Sequence, residues 1–169
     1  MDSTSPIASK PVSESKIDSH VYRIFPNDLN SHKTVFGGQV MAIADRLALV
    51  VAERHSAHIC VTASLDSVHF LAPAKEGDTL VFSAAVNKAW NSSMEIGVRV
   101  EAENSRTGKH KHIVSAYFTF VALDENNRPV QVPQLILETE DERKRYEAAE
   151  IRKQGLLKTR GTMKESGLK

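Results

Sequence analysis

A chain of 169 residues with 22 basic and 21 acidic side chains is long enough for one domain with a substantial core, and its balanced charge makes no electrostatic case for nucleic acid. Cys60, the only cysteine, excludes an intramolecular disulfide and suits a reducing compartment. No apolar run reaches the ~18 residues of a membrane span, and the Ser/Pro-rich stretch Met1 to Ser15 lacks a signal-peptide core. The expectation is a cytoplasmic protein with no membrane partner and a disordered arm over residues 1–15.

Lys16 to Phe25 alternates Ile17, Val21 and Phe25 with polar residues and predicts a first strand, ended by Pro26. Turn formers follow from Asn27 to Thr34, and Thr34 is placed to cap a helix opened by Gly37-Gly38. From Val40 to Ala52 only Asp45 and Arg46 are polar, so that helix must bury most of its surface. Gln39, Arg46 and Glu53 recur every seven residues and mark one wet stripe. Asp45 lies about 100° from that stripe, on the side shared with Met41, Ala42, Ala48, Leu49 and Ala52. A carboxylate there is costly unless hydrogen-bonded or paired. The pattern alone leaves two readings open, a functional carboxylate and a structural ion pair.

His58 to Leu71 is β-prone, with Ile59, Val61, Ala63 and Leu65 on one face and a phase shift that predicts a bulge near Asp66-Ser67. Leu80 to Val86 and Met94 to Ala102 alternate cleanly as two hairpin partners, the second with one wet face. Ile113 to Leu123, apolar on both faces, predicts a strand inside the sheet. Thr139 with Glu142 forms a capping box, Glu140–Lys144 and Asp141–Arg145 are i,i+4 pairs, and Gly155 is placed to stop the helix. Its thin apolar content predicts surface or subunit packing over residues 138–157, with a disordered tail over 158–169. The order strand, buried helix, four strands predicts an α+β fold over residues 16–137, an antiparallel sheet wrapped around one long helix. Such a sheet leaves edges exposed, which favours pairing as a dimer.

Pro26-Asn27-Asp28-Leu29-Asn30, Phe36-Gly37-Gly38, Met41 to Asp45, Val61 to Val68, Ser93-Met94-Glu95-Ile96 and Val132-Pro133-Gln134-Leu135 resemble the hot-dog-fold acyl-CoA thioesterases of the YciA and brain acyl-CoA hydrolase type. The likeness runs from about Lys16 to Lys153. It implies an enzyme that hydrolyses acyl-CoA to a fatty acid and free CoA, with no cofactor because coenzyme A is part of the substrate. It also implies a catalytic pair, Asn30 and Asp45, that meets across a dimer interface, and dimers that assemble as trimers of dimers. The chain departs from the family with Arg46-Leu47 just after the aspartate, and with Lys33 near a position where glycine is common.

In that chemistry Asp45 acts as general base or as nucleophile, and Asn30 orients water or the thioester. The amides of Gly37 and Gly38 are the available oxyanion donors, although a Gly-Gly pair is also an ordinary tight entry into a buried helix. Ser64, Asp66, Ser67 and Ser93 are candidates to line the substrate channel, set against an ordinary role as solvated strand and turn residues. Arg106, Lys109 and Lys111 form a basic turn that suits CoA phosphates and equally suits water. The seven histidines show no metal-ligand spacing, and none is expected to hold a metal. Cys60, in an apolar strand, is no nucleophile. A non-catalytic acyl-CoA-binding protein is the rival from another class, and a dehydratase is a second enzymatic rival.

Overall fold

The computed structural model describes residues 9–167. In chain order it holds β1 (Lys10–Pro11), β2 (Ile17–Arg23), α1 (Gly37–Ser56), β3 (Ile59–Phe70), β4 (Asp78–Ala89), β5 (Ser93–Asn104), β6 (His110–Leu123), β7 (Leu135–Ile136) and α2 (Glu140–Glu165). Five strands form one sheet in the order β2-β4-β5-β6-β3, every neighbouring pair antiparallel. The alternation in β4, β5 and β6 sends Leu80, Phe82, Val86, Met94, Ile96, Val100, Phe118 and Phe120 to the inner face, all essentially without solvent contact. That face curls around α1, whose Ala44, Ala48 and Ala52 are fully buried and small enough to let the strands approach closely. Ala57 ends the helix with a left-handed φ of 58°.

The opposite side of α1 has no cover in the chain. Ala42, Arg46 and Val50 are exposed, and Met41, Ile43, Asp45 and Leu49 are half-buried. The expectation of a helix buried almost all round therefore holds only on the sheet side. Of the wet stripe only Arg46 is exposed: Gln39 Nε2 donates to the Tyr22 hydroxyl (3.2 Å), and Glu53 Oε1 accepts from the Cys60 amide (3.4 Å).

Several local expectations are corrected. Residues 10–15 of the arm are ordered: β1 pairs in parallel with β7, and Val12 is buried below that contact. One apolar side chain was hidden by the Ser/Pro-rich composition around it. Residues 1–8 lie outside the described residues, as do 168–169. Gly155 does not stop α2, which runs on as an exposed helix to Glu165 through the segment expected to be disordered. The capping box at its start forms as expected. Glu140 reaches Arg143 (3.4 Å) instead of Lys144, and no ion pair joins Asp141 to Arg145 among the described residues.

The wet face expected on β5 is partly roofed by α2. Glu95 is 2% exposed and receives a two-pronged contact from Arg152 (2.6 and 3.0 Å) and a bond from Asn87 Nδ2 (2.9 Å). Burial opposes the charge on Arg152, but Glu95 outweighs it and the guanidinium is held above its ordinary value. Lys88 pairs with Glu150 (2.9 Å), and Lys88, Lys153 and Arg152 lie over the rings of Tyr146, Trp90 and Tyr117. Hydrogen bonds from Gln154, Lys88 and Trp90 pull the Glu150 carboxyl down to about 2. Cations over aromatic rings do much of the docking that a thin apolar face cannot.

Candidate active site

The loop before α1 is pinned by Asp28, whose carboxylate accepts from the Phe25 amide (2.8 Å) and the Tyr22 hydroxyl (2.9 Å). Its carbonyl takes the Phe36 amide (2.8 Å), so the loop closes at the mouth of the helix. Within it Asn30 Oδ1 accepts from the His32 amide (2.9 Å) and the Thr34 amide (3.3 Å), and Nδ2 donates to Thr34 Oγ1 (2.9 Å). Thr34 is thus committed to Asn30 and does not cap α1; Phe36 occupies the cap position without a side-chain bond. Lys33 adopts a left-handed φ of 60°. This is the conformation a glycine takes freely and a lysine at some cost, roughly 1–3 kcal/mol.

Gly37 and Gly38 open the helix, and their amides donate to no group of the chain among the described residues. Close packing at both positions favours glycine. A Cβ at Gly37 would lie 3.1 Å from the Phe70 ring, and one at Gly38 would lie 3.0 Å from the Phe36 ring. Beside this helix end is a cavity of about 360 Å³ lined by Thr34, Gly37, Phe70, Leu71, Ala72 and Ile113, among others. Free amides, the positive end of the helix dipole and an apolar cavity meet there, which suits a polarised carbonyl oxygen on an apolar chain.

Asp45 lies eight residues into α1, about 12 Å along the axis from Gly37 at 1.5 Å per residue. Its Oδ1 accepts from Thr62 Oγ1 on β3 at 2.9 Å. The carboxylate is half-buried rather than buried, because the helix face that carries it lies open beside β3, an edge strand. Asn30 and Asp45 share no hydrogen bond within the chain. Thr62 went unremarked in the sequence because strict alternation puts it on the face opposite Val61 and Ala63, away from the apolar series.

The other candidates lie elsewhere. Ser64 pairs with Thr119 and Ser67 with Tyr117, which places them on the sheet face turned away from α1, and Asp66 turns its carboxylate to the same side. Ser93 opens β5 opposite Val121 on that face, its carbonyl accepting from the Trp90 amide (2.8 Å). Arg106 and Lys109 are exposed in the β5–β6 turn, with Lys111 exposed on the second rung of β6, opposite Ala102. This end of the sheet also carries Phe70, which pairs with Val114 beside the cavity. The three cations make no ion pair among the described residues. Cys60 is buried 3.2 Å from Ser56 Oγ, and burial pushes its thiol up, away from nucleophilic use.

An antiparallel sheet wrapped around one helix, with bare amides at the helix start and a carboxylate two turns on, defines a hot-dog-fold thioesterase. The thioesterase superfamily model matches residues 32–109. The chain is 43% identical over 120 residues to an uncharacterized acyl-CoA thioester hydrolase, YkhA, of Bacillus subtilis, covering 71% of this chain and 70% of that one. A crystallised apo-hexameric acyl-CoA thioesterase superposes with a TM-score of 0.87 at 38% identity, over 90% of this chain and 97% of the other. The acyl-CoA hydrolase of Staphylococcus aureus, solved with butyryl-CoA and CoA, superposes at 0.86 with 39% identity, over 94% and 96%. That enzyme is also known as alanine variants of one aspartate, one asparagine and one threonine. The chain belongs to the thioesterase superfamily, among its acyl-CoA hydrolases.

Proposed function

We propose that the protein hydrolyses acyl-CoA to a free fatty acid and CoA at a site built by two copies of the chain. The observation that carries this reading is the paired state of the two key side chains. Asp45 is held by Thr62 on an uncovered helix face, while the Asn30 of the same chain is locked into its own loop. The three substituted residues of the Staphylococcus aureus hydrolase have the spacing of Asn30, Asp45 and Thr62, which supports assigning these three to the reaction.

Asp45 either draws a proton from the attacking water or attacks the thioester carbon itself, and Thr62 fixes its orientation. Asn30 of the second copy orients the water or the carbonyl, and the amides of Gly37 and Gly38 receive the charge that develops on oxygen. The acyl chain enters the cavity by Phe70, and Arg106, Lys109 and Lys111 meet the CoA phosphates at the same end of the sheet. Coenzyme A arrives with the substrate and no further cofactor is needed. Val50 (37% exposed) on α1 and Leu65 (44%) on the α1 side of the free edge strand β3 lie apolar and uncovered. They form the face where a second copy pairs, and three such dimers make a trimer of dimers, a count that agrees with the hexameric state of the crystallised relative. No described helix is long and apolar enough to cross a membrane. The lone buried thiol of Cys60 suits the cytoplasm.

Thiol release followed with a chromogenic disulfide across acyl-CoA chain lengths tests the proposal. Asp45→Ala should lower the rate by about 10²–10⁴, the range for loss of a general base, and leave acyl-CoA binding intact. Tight CoA binding without release at any chain length would favour a ligand sensor.

A further inference from the structure

Thr62 aims at Asp45 from the last regular rung of β3 before that strand is interrupted twice. Facing residues of an antiparallel pair share one face of the sheet. On β6, Ala122, Phe120, Phe118 and Ala116 turn toward α1, while Val121, Thr119 and Tyr117 turn away. Along β3 the register runs Thr62 with Phe120, Ser64 with Thr119, Leu65 with Phe118 and Ser67 with Tyr117. Ala63 and Asp66 are therefore extra residues, each making a β-bulge. Strict alternation would put Thr62 and Ser64 on one face. Thr62 faces inward with the regular run that starts at Ile59, and the bulge at Ala63 turns Ser64 outward, where it meets Asp66.

An edge strand has one neighbour to hold its register, and a slip of one residue turns every side chain over. Ala63 has no polar group to hold an irregular backbone. Asp66 has one. Its Oδ1 accepts from Ser64 Oγ at 2.6 Å and its Oδ2 from Thr119 Oγ1 at 2.5 Å. Ser64 and Thr119 are the first facing pair beyond the Ala63 bulge. One carboxylate, set at the second bulge, thus ties both strands together next to the first. Both its oxygens are engaged on the outer face, so the substrate-channel role set out for Asp66 gives way to a different one.

We propose that Asp66 is a positioning residue for the thioester hydrolysis, its carboxylate clamping β3 to β6 just beyond Thr62 and so holding the Thr62 hydroxyl against Asp45. The inference rests on the reading of Asp45 as the reacting carboxylate. Asp66 touches no reacting atom, and its effect passes through Thr62.

The test is a double-mutant cycle on kcat and KM, with folding and assembly checked by melting and size-exclusion chromatography. Asp66→Ala should lower kcat about 10-fold with KM changed less than about 3-fold, and in a Thr62→Ala background it should have no further effect, the signature of two residues acting in series. Asp66→Asn should keep at least half the activity, because its amide still bonds both hydroxyls, each of which donates and accepts. Thr119→Val, which cuts the clamp from β6, should reproduce the kcat loss and serves if Asp66→Ala fails to fold. Additive losses in the cycle, or wild-type kcat in folded Asp66→Ala or Thr119→Val, would overturn the proposal. Wild-type rates in both Asp45→Ala and Thr62→Ala would instead overturn the functional reading beneath it.

Discussion

Mixing two dead proteins should restore activity, and the structure sets how much. Asn30 spends its side chain on His32 and Thr34 within a closed loop, and Asp45 lies about 12 Å further along α1. For the two to meet in one chain, the loop would have to unfold from Asp28 and run back along the helix. A two-fold axis beside paired helices brings them together without that cost. Each site of a dimer then takes Asn30 from one copy and Asp45 from the other. In a mixed dimer of Asn30→Ala and Asp45→Ala chains, one site carries both lesions and the other carries none. With equal amounts and free exchange, about half the dimers are mixed and half of their sites are intact, so about a quarter of wild-type turnover returns. Thiol release after exchange measures the recovery, and native mass spectrometry counts the mixed dimers. Mixed dimers without recovered turnover would refute the shared site.

Three further outcomes follow from the packing. Gly97→Ala should lower Tm by roughly 3–10 °C, because its methyl would lie 2.6 Å from the buried Asn87 amide nitrogen and overpacking costs about 1–3 kcal/mol. Adding Asn87→Ala should recover part of that loss on the same melting curve. His55 is buried with its Nδ1 unpartnered, and burial holds its pKa below 6.5, so the unfolded chain binds the proton more readily. Its contribution to stability is full above pH 6.5 and is lost as the pH falls through the lower folded value; Tm measured from pH 7.5 to 5 should fall more steeply in the wild type than in His55→Gln. Deleting residues 1–15 should lower Tm through loss of buried Val12, whereas ending the chain after Lys158 should change neither Tm nor turnover, since every described side chain beyond it is exposed.

The sheet and its helix were legible because two periodicities, two residues in β4 to β6 and about 3.6 in α1, record which side of each element is buried. The bulge at Asp66 was legible too, as a break in that period. The one at Ala63 was not: an alanine fits either face, so the apolar series Ile59, Val61, Ala63 and Leu65 reads as continuous although Ile59 and Val61 face away from α1 and Leu65 faces it. That single misphasing also hid Thr62. The helical run past Gly155 and Gly161 was hidden for the opposite reason, since each glycine costs a helix about 1 kcal/mol and neighbouring residues carry it through. Asn30, Gly37, Gly38 and Asp45 were recognisable as a set through family likeness. Their proposed division between two chains is a matter of space that spacing along one chain only permits.

The half-exposure of Asp45 makes physical sense in an assembly. The face of α1 that packs on the sheet is built from alanines and valines and needs no partner, while Met41, Ala42, Leu49 and Val50 are left against water beside the free edge of β3. Leaving them so forfeits burial worth about 25 cal/mol per Å². In the proposed dimer a second copy laid across this face covers the apolar residues and the carboxylate together, and it carries its own Asn30 loop and helix start toward the pocket. Water is then excluded only where the reacting groups have been brought together, so the apolar contacts that form the dimer also complete the site. On this argument the isolated chain folds with Asp45 already aimed by Thr62, but it lacks both the second polar group and the dry surroundings that hydrolysis of a bound thioester uses.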